Sequence, residues 1–161
     1  MGTDGKLWWK SLSQQFTFHF RETSRLLELA RGLSAEQLES TYGHGGVMAI
    51  GEHLLGSDAY WRGVLSGTPD DTGPQRVNDL DDLLSWNRRE QTHWERWLAG
   101  LDDDWLRREA DWTLTFGVYR FAPGDALQHL ILHGHQHHGE IAHLLTKAGL
   151  APGDVDYFDF F

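Results

Sequence analysis

The chain has no cysteine. That absence removes disulfides, thiolate ligands and a cysteine nucleophile together, so any bound metal must be held by nitrogen and oxygen donors. No apolar run approaches the roughly 18–20 residues of a membrane span. The N-terminus, MGTDGKLWWKS, lacks the apolar segment of a signal peptide. Gly2 follows Met1, but Lys6 breaks the myristoylation pattern. These absences lead us to expect a cytoplasmic protein with no membrane partner. A basic surplus is missing too. The formal net charge is −10, and phosphate binding needs a basic footprint, so no nucleic-acid partner is expected. We find no internal repeat and no low-complexity tract. The remaining composition, 40% hydrophobic and 24% charged over 161 residues, is that of a soluble chain long enough to bury a core. A single domain over residues 1–161 is expected.

What the chain has in excess is histidine. There are ten, and six of them fall between His129 and His143, in LQHLILHGHQHHGEIAHLL. The surrounding pattern is helical. One amphipathic helix is expected from about Leu7 to Ala30, with Phe16, Phe20, Leu27 and Ala30 on its apolar stripe and Gly32 near its end. Ser34 begins SAEQL, the start of a short helical turn with a capping residue. TYGHGG reads as a loop. A second helix runs from about Val47 to Leu65, with Ile50, Leu54, Trp61 and Val64 apolar. Ser66–Arg76, with four glycines and prolines, is a connection. A third helix starts near Asn78 or Asp79 and reaches Leu98, and acids at its start suit the positive end of the dipole. DWTLTFGVYRFAP is β-prone and fits either a short hairpin turning near Gly117 or an ordered loop. The fourth long helix begins near Pro123 and ends before Gly149. The aromatic tail APGDVDYFDFF packs on the bundle or on a partner. The layout predicts an all-α four-helix bundle, and the long 66–78 and 99–123 connections allow more than one topology.

On the last helix, His133 and His137 stand four residues apart. They share one face, about 40° apart in direction and about 6 Å in height. That spacing lets two imidazoles close on one metal ion. Glu140 falls between them in angle, one turn on, and His129 joins the stripe one turn earlier. His135, His138 and His143 point elsewhere, to solvent or local hydrogen bonds. Several buried imidazoles without partners are costly, so this stripe is not an ordinary core face. The natural third ligand is His53, amid apolar residues of the second long helix, because bundle sites are assembled from facing helices. Three histidines leave a position for water, as catalytic sites do. Glu52 and Asp58 are rival carboxylates that read better as a solvated face. His19 and His93 read as structural or surface groups, and His44 in its glycine loop carries no signal. Of the eight tryptophans, Trp61, Trp94 and Trp97 suit the core. Trp8, Trp9 and Trp105 lie near segment ends, where they suit a pocket cover or a dimer contact.

Two segments carry a resemblance. GEHLLGSDAYW, with His53, and the HxxxHxGxI signature of His133, His137, Gly139 and Ile141 resemble the DinB/YfiT-like superfamily of four-helix-bundle metalloproteins. Order and length agree over nearly the whole chain. The resemblance implies a divalent metal, nickel or zinc, on His53, His133 and His137, and a homodimer. It implies a metal-dependent transferase using a low-molecular-weight thiol, or a hydrolase, acting on a small-molecule substrate. Relatives often have glutamine where this chain has Glu140. That carboxylate could orient a ligand histidine, move a proton or add a fourth ligand, as could His129 for the last role, so coordination number stays open. No anion clamp for a thiol stands out: Arg21, Arg25 and Arg62 read as solvated. The competing expectation is a non-catalytic, stress-associated metal-binding bundle.

Overall fold

The computed structural model describes residues 7–68, 73–74 and 76–160, apart from the side chains of residues 7–9 and 159. The side chains of Trp8 and Trp9 and part of the 66–76 connection therefore lie outside the described residues. Four long helices, α1 (Leu7–Ala30), α3 (Val47–Ser66), α4 (Leu80–Leu98) and α6 (Pro123–Lys147), alternate with short elements: α2 (Ala35–Leu38), α5 (Asp103–Arg107), and strands β1 (Ala110–Leu114) and β2 (Gly117–Phe121). A 3-10 turn at Tyr157–Phe160 closes the described chain. No helix among the described residues is long and apolar enough to cross a membrane.

The helix ends follow local chemistry. Ser34 accepts from the Gln37 amide while the Gln37 side chain accepts from the Ser34 amide, a reciprocal cap. Asp79 caps α4 through the Asp82 amide. Pro123 occupies the first turn of α6, where its missing N–H costs nothing. Past the other end of α6, Gly149 takes φ +86, the left-handed conformation that ends a helix.

Packing sets the order of the helices. α1 lies against α4 and α6, and α3 lies against the same two. Two apolar clusters fix the directions. One joins Leu26 and Leu27 of α1, Ile50 and Leu55 of α3, Leu83 and Leu84 of α4, and Ile141 and Leu145 of α6. The other joins Phe16 and Phe20, Leu65, Trp94 and Leu98, and Leu127 and Leu130. α1 and α6 therefore run parallel to each other and antiparallel to α3 and α4. This arrangement sets α3 and α6 side by side and antiparallel, which brings the middle of each to the same level.

Gly134 allows α1 to approach α6. A Cβ there would collide with the His19 ring. The β-prone segment forms a hairpin, in which Ala110 pairs with Phe121 and Trp112 with Tyr119. Its turn lies at Thr115–Phe116, and Gly117, with φ +142, is the first residue of β2. Trp94 is fully buried, whereas Trp61, Trp97 and Trp105 are half-buried against the second cluster.

Candidate metal centre

The middle of α3 contributes His53, and α6 contributes His133 and His137. All three aim Nε2 at one another. His133 Nε2 lies 3.0 Å from His137 Nε2 and 3.2 Å from His53 Nε2. Protons cannot satisfy this meeting in full, because one proton on His133 Nε2 serves one neighbour and not both. Three converging lone pairs suit a cation. Two nitrogens each about 2.0–2.1 Å from a tetrahedral zinc lie about 3.3 Å apart, close to the separations observed. His137 is fully buried, His133 half-buried and His53 exposed, so the cluster runs from the bundle interior to its surface.

The opposite nitrogen of His137 is occupied. Its Nδ1 donates to Glu140 Oε2 at 2.8 Å, and His44 Nδ1 donates to Glu140 Oε1 at 2.9 Å. With a hydrogen on Nδ1 committed to Glu140, His137 turns its Nε2 to the cluster. Both carboxylate oxygens thus face Nδ1 atoms, the arrangement that orients a ligand imidazole. His44, His137 and Glu140 themselves form a second group of donors close enough to share an ion, but these hydrogen bonds use the same atoms. Glycine is required behind the carboxylate: Gly43 has φ +59, and a Cβ there would collide with Glu140. His133 lacks such support, and its Nδ1 is buried with no partner among the described residues.

The charges respond accordingly. Burial, reinforced by the neighbouring His137 and His53 rings, pushes His133 down to about 4. Partial burial and the His137 and His44 rings also lower His53. Burial alone would raise Glu140, but the hydrogen bonds from His137 and His44 outweigh it and hold the carboxyl below its ordinary value. His133 and His53 are thus held toward the neutral form beside an ionised Glu140, the protonation states that metal binding needs.

Several other residues sit differently from the sequence reading. His138 is not solvated or locally bonded. It is buried, and its Nε2 lies 2.8 Å from Thr23 Oγ1 of α1, because α6 packs on α1 along that face. Asp58 is not on a solvated face either: it is fully buried and bonded to His19 Nε2 at 2.9 Å. Arg62, read as solvated, is buried in a two-pronged pair with Glu90, both contacts 2.9 Å. Glu52, His135 and His143 are exposed, as expected. His129 is exposed at 5.9 Å between ring centroids from His133 and stands outside the three-nitrogen cluster. His93 lies near Glu90 on its own helix. Arg25 pairs with Glu22, and Arg21 stacks over Phe160, both remote from the cluster.

His44 is the residue that sequence reasoning passed over. Its ring lies parallel to that of His53, with centroids 5.6 Å apart. Its only local signal was a histidine between glycines, Gly43 and Gly45, both of which take positive φ.

A solved structure with this fold is a DinB-like protein from Bacillus cereus ATCC 10987. It is 20% identical, the match covers 91% of this chain and 97% of that one, and the TM-score is 0.70. No curated protein matches this chain. The family model for the DinB family matches residues 9–161, nearly the whole chain, and the chain belongs to that family.

Proposed function

We propose that this protein is a metal-dependent transferase of low-molecular-weight thiols, or a hydrolase, acting on a small molecule. In this reading nickel or zinc is held by His53, His133 and His137, and the protein works as a homodimer. The observation that carries it is the convergence of three Nε2 atoms while both Glu140 oxygens are engaged on Nδ1 atoms. No carboxylate then fills the remaining position, which is the pattern of an open, catalytic site. A divalent ion there supplies Lewis acidity, lowering the pKa of a thiol or water so that a nucleophile exists at neutral pH.

The chain's own residues prepare that position. Glu140 fixes the tautomer and orientation of His137, and His44 shares its charge from the loop side. With both oxygens committed, Glu140 is a positioning residue rather than a proton carrier. Exposed His53 leaves the α3 side of the cluster open to small molecules.

The test is elemental analysis of untagged protein purified without added metal, for wild type and His53→Ala together. About one nickel or zinc per chain, lost in the variant, is expected, followed by turnover in a screen of thiol transfers and hydrolyses. No metal in the wild type, even after incubation with either ion, would overturn the reading. Stoichiometric metal with no turnover across the screen would leave a non-catalytic metal protein.

A further inference from the structure

Because α3 and α6 are antiparallel, the rows of side chains that start at the three nitrogens climb one seam together. On α3, Ser57 stands one turn beyond His53, and Trp61 one turn beyond Ser57. On α6, His129 stands one turn before His133. The rings meet in that order. His133 and His129 lie 5.9 Å apart between centroids, and His129 and Trp61 lie 6.0 Å apart. The seam reaches solvent, since His53 and His129 are exposed and Ser57, Tyr60 and Trp61 are half-buried.

The far end of the seam is a set of rings held from behind. Phe121 of β2 meets Trp61 edge-on at 5.8 Å and stacks on Trp112 of β1 at 5.7 Å. The Thr115 amide in the hairpin turn donates to the Tyr60 hydroxyl at 3.0 Å. That bond ties the hairpin to the turn of α3 that carries Trp61, so the rings are fixed before any guest arrives. A seam built for packing alone would carry a large apolar side chain in the turn next to His53. Ser57 puts only a hydroxymethyl group there, and the bulk begins one turn later, at Trp61. Ser57, Tyr60, Trp61 and Phe121 carry no charge, so they offer nothing to compensate an ionic group on a guest. Edges and faces of fixed rings do favour another ring, in edge-on or offset contact.

We propose that this seam is the substrate groove of the metal site, and that the substrate carries an uncharged arm ending in an aromatic ring, which Trp61 receives. Trp61 is then the specificity-determining residue, and the hairpin is the part that braces it. The proposal rests on the metal reading above and adds to it the class of substrate.

The probes are 3-phenylpropane-1-thiol and propane-1-thiol. The ring stands three carbons from the sulfur and leaves its acidity unchanged, so the two thiols differ in the arm alone. Cobalt(II)-loaded protein is titrated with each, and affinity is read from the sulfur-to-cobalt absorption. The indole N–H NMR signal of Trp61, assigned by its loss in Trp61→Leu, reports where the arm lies. In the wild type the phenyl thiol is expected to bind about tenfold tighter than propanethiol, the worth of one added ring contact, and to shift the Trp61 signal. Trp61→Leu, which keeps an apolar side chain at a half-buried position, should bind both thiols with equal affinity. Equal affinity in the wild type, an unmoved Trp61 signal, or a phenyl preference that survives Trp61→Leu would each overturn the proposal and leave the metal reading standing. Failure to bind cobalt, or no sulfur-to-cobalt absorption with either thiol, would overturn both. The wild-type comparison needs no variant, so misfolding of Trp61→Leu would not protect the proposal.

Discussion

Neighbouring histidines on α6 serve opposite ends. His137 turns Nε2 to His133 and Nδ1 to Glu140, whereas His138, one residue on, spans to Thr23 of α1. His137→Ala should therefore abolish stoichiometric metal binding. His138→Ala should keep the metal and lose about 1–3 kcal/mol of stability, as a buried polar contact is broken. Elemental analysis and urea denaturation of the two variants separate the outcomes, and equal metal loss in both would overturn the assignment of faces. Glu140→Gln keeps the shape but loses one of two acceptors, so metal affinity should fall about 10–100-fold. Competition with a chromogenic chelator measures this, and an unchanged affinity would remove the orienting role. The i, i+4 pair and Glu140 were legible in the sequence because helical geometry alone places them. His44 was not, because a glycine loop has no period, and only the fold of residues 41–46 over α6 carries its ring to Glu140.

Between helices, the charged contacts matter more than the sequence suggested. Arg62 and Glu90 tie α3 to α4 with side-chain exposures of 6% and 2%. Removing one partner strands a buried charge, and Arg62→Met should cost about 3–5 kcal/mol. Arg62→Met with Glu90→Leu should recover most of that, since replacing a buried pair with apolar residues is often neutral. Urea denaturation of the single and double variants checks it: a double variant no better than the single would deny the stranded charge. The hairpin shows the same dependence on surroundings. Two isolated strands are marginal in water, so the local signal of 111–123 suited a loop as well as a hairpin. What secures the hairpin is contact beyond it. Trp112 lies edge-on to Trp105 of α5, and the Thr115 amide donates to the Tyr60 hydroxyl of α3 at 3.0 Å.

At the scale of the whole molecule, acid should act in one direction. His133, His53 and His138 all bind protons less readily folded than unfolded. Below the ordinary value of 6.5 the unfolded chain takes up protons that the folded chain refuses, so stability falls as pH falls. The His133 contribution is intact above 6.5 and is lost progressively down to its folded value of about 4. Glu140, lowered as well, adds a loss of the same sign at lower pH. Urea midpoints of the metal-free protein at pH 7, 5.5 and 4 should decline in that order, and a midpoint rising between pH 7 and 5.5 would contradict the buried, neutral histidines.

The sequence by itself determined the four long helices, the cap at Ser34 before the short α2, the place of Pro123 in the first turn of α6, and the shared face of His133 and His137, because these depend on residues within a turn or two of one another. It also placed Phe16, Phe20, Ile50 and Leu54 inside, since apolar period follows helix period. Tertiary structure alone decided the ring of helices that sets α3 beside α6, and with it the approach of His53 to His133 across 80 residues of chain. It alone decided that Asp58, Arg62 and His138 are buried: a polar side chain on a helix goes inside when a partner on a facing helix meets it, and that partner is not written in the local sequence.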